Sequence, residues 1–453
     1  MRYKRLYQAG STFLTILFLL MVRTYLLDDR RLVHGSELFP KPSYYPLNCS
    51  KIFDGDVVET RNAINWRPSK IYEPLELLKL VSNCSLLQAS FSFAESPLTQ
   101  TEKDYPLAFV LLAHRNFEQL LRLFEGIYFP QNYYCIAYDL KSTAYFRESV
   151  ESFARCFKNI IIPDELLQVY WGHHSVLKSA VNCLKALKAA SKTWKYVQIL
   201  TWSDVPLKTN FETVQIFKIL NGSNDVELSK ISKNRYRHAS HFVAHGGIIE
   251  RKWRKFYREV NFAGHWLIDF NGKKRIPPHN LTIYKGSFGA SLSSEFVTFL
   301  LQNPAAQDFL EWSNLTFIPD ELYWSTLAHN ENLRAPGLFP GSCLESYEFA
   351  KVQKPFISRY DVWSRFNCGG QIARSSCIFG VHDLTKLKDN YHLTAHKVYL
   401  EFQPATFYCL TELHKNRTIN GRNVDDRFNL TFYKNLPQVK NRNLIKDQKL
   451  ACF

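Results

Sequence analysis

Leu107-Ala-Phe-Val-Leu-Leu-Ala113 is an unbroken apolar run that ends at His114. Behind it comes a stripe at helical spacing, Phe117, Leu120, Leu121, Phe124 and Ile127, followed by the aromatic run Tyr133 to Tyr138. Asn159 to Pro163 is a further strand candidate. Val176, Leu177, Val181, Leu184 and Leu187 mark a second helix, and Tyr196 to Thr201 is a fourth strand. Short apolar runs that alternate with helical stripes predict an α/β domain whose parallel sheet is covered on both faces, a Rossmann-like half.

Ligands of such sheets bind at the carboxyl ends of the strands. His114 follows the first run, Asp139 ends the second and Asp204 lies just beyond the fourth, so three polar groups are expected at one edge. A nucleotide fits there; the plainer alternative is that each residue simply opens a loop. There is no G-x-G-x-x-G and no Walker loop, so a site built on glycine turns has no support.

Outward from this core, the composition excludes a disordered chain and a disulfide miniprotein. The 453 residues are 46% apolar and include 34 Phe and 24 Tyr, enough to bury a sizeable core. Lys plus Arg exceeds Asp plus Glu by 57 − 41 = 16, a surplus that favours an anionic partner. At the N-terminus, Arg2, Lys4 and Arg5 precede an apolar stretch, residues 9–27, which is just long enough for a bilayer core. A cleaved signal peptide is the competing reading, but no small-residue cleavage site follows it. The expectation is therefore a cytosolic tail at 1–8 and a single-pass type II signal anchor at 9–27, with the rest lumenal by the positive-inside rule.

Ten cysteines with no C-x-x-C pair argue for a disulfide framework rather than a zinc ribbon. Seven N-glycosylation sequons, at Asn48, Asn83, Asn221, Asn280, Asn314, Asn416 and Asn429, agree with a lumenal location, and together these features speak against nucleic acid. Residues 28–103 are Pro-punctuated without long periodic runs and read as a stem that packs onto the main domain. A catalytic domain at 104–435 and a basic tail at 436–453 complete the division.

Four blocks carry a family resemblance: Phe-Pro-Gln-Asn-Tyr-Tyr-Cys-Ile-Ala-Tyr-Asp at 129–139, Trp-Lys-Tyr with Ser-Asp-Val-Pro-Leu-Lys-Thr within 194–209, Ile-Pro-Asp-Glu-Leu-Tyr-Trp-Ser-Thr-Leu at 318–327, and Arg-Ser-Ser-Cys-Ile-Phe-Gly at 374–380. In this order they resemble the core-2/I-branching β-1,6-N-acetylglucosaminyltransferase family, over about Cys49 to Leu410. The resemblance implies a glycosyltransferase-A type fold, with a Rossmann-like nucleotide-binding half and a central mixed sheet flanked by helices. It also implies a Golgi membrane enzyme that inverts configuration as it moves a sugar from a UDP donor to the 6-hydroxyl of an O-glycan on glycoproteins. The donor is UDP-GlcNAc or a relative carrying glucose or xylose. An inactive lumenal glycan-binding or scaffold protein on the same fold is the alternative.

The residue roles it implies are these. Glu321 is the base, a carboxylate that takes the proton of the attacking hydroxyl. Arg374 and Lys397 bind the donor diphosphate, so that no divalent metal cofactor is required; charge-assisted hydrogen bonds then do the electrostatic work. Only one acid, Asp204, stands in Trp-Ser-Asp-Val-Pro where related folds carry Asp-x-Asp, and the intact Asp54-Gly-Asp56 falls in the stem. Leu112, His114, Asp139 and an aromatic ring at Tyr170 or Trp171 are the UDP contacts. Glu227 and Trp363 are acceptor contacts, with Lys252 a further candidate; a buried core position is the alternative for Trp363. The implied disulfides are Cys49 with Cys409, Cys84 with Cys156, Cys135 with Cys183 and Cys368 with Cys377; Cys343 and Cys452 are extra to that set, and a bond between these two is a separate expectation, with a free thiol at either as the alternative. The likeness fails across 228–275, where His238, His241 and His245 could gather zinc and nine Lys or Arg between Lys230 and Arg258 could meet sulfated glycans. A solvated basic loop is the default for both.

Overall fold

The computed structural model describes residues 46–230, 241–243, 258–262, 265–269, 276–345, 354–363, 365–420 and 429–446. The anchor at 9–27, His238, His245, Lys252 and Cys452 lie outside the described residues. Thirteen strands follow in chain order: β1 Leu107–Ala113, β2 Tyr133–Tyr138, β3 Ile160–Ile161, β4 Tyr196–Thr201, β5 Asp204–Pro206, β6 His241–Val243, β7 Arg258–Phe262, β8 His265–Asp269, β9 Ser291–Ser293, β10 Arg359–Asp361, β11 Gln371–Ala373, β12 Ser376–Ile378 and β13 Thr394–His396.

The central sheet runs β3-β2-β1-β4-β9, with the first four strands parallel and β9 antiparallel to β4. Its β1 illustrates why an all-apolar strand belongs here: successive side chains point to opposite faces, and both faces are covered. Leu107, Phe109, Leu111 and Ala113 pack with the helices Phe117–Ile127, Ala144–Arg155 and Asn210–Leu220. Ala108 and Val110 pack on the other face with His174–Ala190, Ser294–Gln302 and Tyr323–His329. The sheet is thus mixed and flanked by helices, an α/β fold of glycosyltransferase-A type. The strand candidate 159–163 contracts to two residues, Ile160–Ile161, while the runs at 107–113, 133–138 and 196–201 keep their full length.

The segment anticipated as a stem holds five short helices, Cys49–Phe53, Val57–Ile64, Pro74–Val81, Cys84–Ser90 and Gln100–Asp104. Four are opened by side chains that accept the first free amides: Asn48 from Lys51, Asp56 from Glu59, Asn83 from Leu86 and Thr99 from Glu102. Such short helices gain their stability from tertiary packing. Here Leu77, Leu80 and Val81 join the core under β1, and Cys49, Ile52 and Phe53 join a second cluster with Phe379, Leu384 and Leu410. Two disulfides fasten this region, Cys49–Cys409 and Cys84–Cys156, and Cys135–Cys183 and Cys368–Cys377 are also closed. Cys343 is disulfide-bonded as well. Of the anticipated basic tail, Pro437–Lys446 is a helix, and buried Gln438 donates to Asp225 at 3.1 Å. All seven sequon asparagines are exposed, whereas the buried Asn132, Asn159, Asn182, Asn210, Asn224 and Asn330 belong to no sequon.

Asp204 corrects the strand-edge expectation. It opens β5, which pairs with β13, which in turn pairs with β10, and it is wholly buried where these strands meet. One carboxylate oxygen accepts from Arg359 at 2.9 Å, from the Thr201 hydroxyl at 2.9 Å and from the Thr201 amide; the other lies 3.1 Å from His396 Nδ1. Burial works against its charge, but Arg359 and His396 more than offset it and hold the carboxyl down from 3.8 to about 2. With both oxygens engaged away from solvent, Asp204 is an internal tie between strands and does not present itself to a ligand.

Two stability predictions follow from these ties. Asp204→Ala strands the Arg359 guanidinium in the interior and should cost roughly 3–5 kcal/mol, read from denaturant unfolding. The depressed carboxyl supplies stability that is present above its unfolded pKa of 3.8 and lost as pH falls towards about 2. Acid unfolding should therefore steepen in that window for the native chain and not for Asp204→Asn. Replacing Cys49 and Cys409 by Ser should cost roughly 2–5 kcal/mol and open the helices at 49–64 to limited proteolysis.

Candidate active site

Strands β1, β2 and β4 end level with one another, Ala113 opposite Tyr138 and Leu112 opposite both Ala137 and Thr201. This is the edge where a nucleotide is expected. Leu112, the next-to-last residue of β1, is half-buried. His114 keeps an exposed side, and the Trp202 ring meets it edge-on at 5.5 Å. Loss of surrounding water, with Arg115 acting in the same sense and Asp139 opposing, lowers the His114 pKa below the ordinary imidazole range. Neutral imidazole is therefore the form offered at this edge, a hydrogen-bonding group rather than a cation.

Asp139 organises the neighbouring loop. Its Oδ1 accepts from the amides of Lys141 at 2.9 Å and Val169 at 3.1 Å, and Lys141 lies 3.6 Å from its other oxygen. The Lys141 ammonium also sits 3.9 Å from the centre of the Tyr170 ring, which places that ring beside Asp139. Trp171 faces the other way: it is 43% exposed and leans edge-on against Phe317 at 5.7 Å. Gly172 follows, at φ +75°, where a Cβ would come within 2.6 Å of the Phe317 ring. Its carbonyl accepts from the Ile318 amide at 2.8 Å.

That bond connects the nucleotide edge to Glu321. Ile318 has φ +52°, an outlier for a β-branched residue, and it launches a single 3-10 turn, Pro319–Glu321, before the helix Tyr323–His329. Glu321 thus closes a tight turn just ahead of the helix, rather than lying in its first turn. Its side chain is partly exposed, and Lys285 Nζ stands 3.5 Å from Oε2. Burial, together with Asp361 and Glu321, pushes the Glu227 carboxyl up, and Lys285 and Lys354 pull it down.

The two cations meet at a hairpin. β11 and β12 pair with Ala373 opposite Ser376, so Arg374 and Ser375 form a two-residue turn, at φ +50° and +66°. Positive φ at both central positions is the type I′ requirement usually met by Asn-Gly; Arg-Ser here spends strain on displaying a guanidinium. The base of the hairpin is fastened by Cys368–Cys377 and by the Cys377 amide, which donates to Val362 at 2.8 Å. Lys397, directly after β13, donates to the Ala373 carbonyl at 3.0 Å, and the Phe379 amide donates back to Lys397 at 2.9 Å. Burial and the neighbouring Arg374 lower the Lys397 pKa to about 8, against Asp361. A buried lysine whose charge is opposed by a neighbouring arginine in this way forms, with it, a site prepared for an anion.

Trp363 is 63% exposed, which removes the buried-core alternative, and its segment leads directly from Asp361. The sequence pointed to none of Arg115, Trp202, Lys285 or Asp361. Arg115 and Trp202 obey the same strand-end rule that singled out His114: the Arg115 guanidinium lies 4.9 Å from the Trp202 ring and 5.2 Å from Tyr399. Lys285 and Asp361 carry no signal of their own, because only the fold brings them to the site. Asp54 and Asp56 are accounted for locally, the first by Lys388 at 2.9 Å and the second as a helix cap. Among the described residues the one grouping of metal-ligand types is Cys368, Cys377 and Asp383, whose two sulfurs are joined in a disulfide. Of the histidines at 238–245, His241 opens β6.

Residues 107–388 match the family model described as Core-2/I-Branching enzyme. A human β-1,3-galactosyl-O-glycosyl-glycoprotein β-1,6-N-acetylglucosaminyltransferase is 30% identical over 390 residues, covering 82% of this chain and 86% of its own length. A mouse N-acetyllactosaminide β-1,6-N-acetylglucosaminyl-transferase is 34% identical over 382 residues, with 83% and 86% covered. A zebrafish (Danio rerio) β-1,3-galactosyl-O-glycosyl-glycoprotein β-1,6-N-acetylglucosaminyltransferase 4 is 32% identical over 377 residues, with 81% and 83% covered. The family model spans more than half of the chain and these relatives cover about four fifths of it, and the chain belongs to the core-2/I-branching enzyme family of glycosyltransferases.

Proposed function

We propose that this chain transfers N-acetylglucosamine, or a close relative such as glucose, from a UDP-sugar to the 6-hydroxyl of an O-glycan residue, with inversion and without a metal ion. The observation that carries the reading is the presence in one domain of a paired-cation hairpin and of a partly exposed carboxylate on a tight turn. In this reading the Arg374–Lys397 pair meets the negative charge that builds on a leaving diphosphate, and the turn that carries Glu321 is tied to Gly172 through the Ile318 amide.

In this reading His114, Asp139 and Tyr170 or Trp171 receive the uridine and ribose, and Trp363 and Glu227 receive the acceptor. The acceptor oxygen attacks the anomeric carbon as Glu321 takes its proton. The bond to the diphosphate breaks, and its electron pair leaves on the β-phosphate oxygen, where the guanidinium fork and the ammonium meet the new charge. Metal independence is supported by Asp204, the single acid of its segment, having both oxygens committed to Arg359, Thr201 and His396. A lumenal Golgi setting with a single-pass anchor at 9–27 is supported by the disulfide framework and by exposure of every sequon asparagine.

Glu321→Gln should lower turnover by roughly 10²–10⁴-fold while leaving the melting temperature and UDP binding unchanged. Arg374→Ala and Lys397→Ala should each lower kcat/KM for the donor roughly 10- to 100-fold, as expected for loss of one charge-assisted bond of about 1.5–3 kcal/mol. EDTA should leave transfer intact, and full dependence on manganese would overturn the two-cation assignment. A donor-by-acceptor screen with linkage analysis of the product identifies the sugar and the branch.

A further inference from the structure

Strand β10 leads from the segment of Glu227 to the segment of Lys397. Just before it starts, the amides of Ile357 and Ser358 donate to Asp225 Oδ2 at 3.0 and 2.7 Å, and Asp225 stands two residues before Glu227. At its end Asp361 pairs with His396, the residue before Lys397. The Cys377 amide donates to the Val362 carbonyl at 2.8 Å and the Lys397 amide to the Cys377 carbonyl at 3.3 Å, so the end of the strand is laced to the cation hairpin. Asp361 is out of keeping with this place. The residue is half-buried, and its Oδ1 is shut off from solvent with no hydrogen-bond partner among the described residues. Arg359, on the same face of the strand, gives its guanidinium to Asp204 at 2.9 Å, and the Lys397 ammonium donates to the Ala373 carbonyl at 3.0 Å.

Native proteins leave few buried polar groups unpaired, and a carboxylate beside cations set for a diphosphate also has the wrong sign for that ligand. Burial and Asp204 push the Asp361 carboxyl up, whereas His396, Arg359 and Lys397 pull it down; Asp361 in turn pushes the Glu227 carboxyl up. We propose that Asp361 is a specificity-determining residue for the donor: its carboxylate accepts a hydrogen bond from a hydroxyl or amide N–H of the transferred sugar. The proposal rests on the reading in which Lys397 meets the diphosphate and Glu227 the acceptor. The transferred sugar is bonded to the diphosphate and attacked by the acceptor, so it lies between the two, and β10 joins the segments that carry their partners. A sugar ring is rich in hydroxyl donors, which a carboxylate short of hydrogen bonds needs. The sign of Asp361 then becomes a means of selection. UDP alone meets a repulsion, and UDP carrying the right sugar offsets it with a charge-assisted bond.

The test is calorimetric binding of UDP, UDP-GlcNAc, UDP-glucose and UDP-xylose to the purified chain. For the sugar nucleotide that binds best, Asp361→Asn should lower affinity roughly 10- to 100-fold, as expected for loss of one charge-assisted hydrogen bond. UDP affinity should stay level or rise, because an acid beside the phosphates has gone. A structural role would not separate the two ligands, so a parallel loss for UDP and the sugar nucleotide overturns the proposal. Asp361→Ala should repeat the pattern; if it does not fold, the same-shaped Asp361→Asn decides alone. Single-deoxy analogues of the best donor read the contact from the other side. The analogue that binds the native chain more weakly than its parent should bind Asp361→Ala as well as the parent does, and a penalty that persists in the variant overturns the proposal. Binding of neither UDP nor any of the three sugar nucleotides removes the transferase reading and this proposal with it. Sugar-nucleotide binding that is indifferent to residue 361 removes this proposal alone.

Discussion

A carboxylate with no access to water holds the second half of this molecule against the first. Asp204 leaves the end of the central sheet, crosses into the small sheet β10-β13-β5, and there meets Arg359 from β10 and His396 from β13. An ion in the interior is stable only when its oxygens are filled and a partner charge is close. That requirement orders three strands separated by up to 192 residues of sequence. Lys397 follows His396 and Asp361 closes the strand that Arg359 opens, so the positions of these two groups are inherited from the buried Asp204 ties.

The same economy appears around Glu321. A strained Ile318, a glycine at 172 and a glycine at 286 each bring one backbone unusually close to another. The turn carrying the carboxylate is gripped at Ile318 by the Gly172 carbonyl and at Glu321 by the Gly286 amide. Local strain at Ile318 and at the Arg374–Ser375 turn is tolerable because disulfides, backbone pairs and packed aromatic rings over-determine the surrounding segments.

Much of this was legible in the sequence. The strands at 107–113, 133–138 and 196–201 have clear limits because a strand covered on both faces is apolar throughout, and its end shows as the first polar residue. His114 and Asp139 were visible for the same reason. Asp204 was misplaced by that rule: a polar residue just past a strand can turn inward as readily as outward, and the partners that decide it, Arg359 and His396, are distant in the chain. Lys285 was invisible, since one lysine among 57 basic residues carries no local mark and its position depends on Gly286 touching Glu227. Trp363 remained open between core and surface because a lone indole suits both, and exposure resolved it.

The bond between Cys49 and Cys409 spans 360 residues, nearly the whole described chain. Synthesis runs from the N-terminus, so the helices at 49–64 emerge long before the helix Pro404–Asn420 that completes their core. Cys84–Cys156 and Cys135–Cys183 can close while the chain is still growing; the outermost bond must wait until residue 409 has left the ribosome. A chain stopped short of that residue would display an unmatched thiol and an uncovered apolar surface at its beginning. The staple between the ends therefore closes only after translation has passed the whole stretch that matches the family model, 107–388.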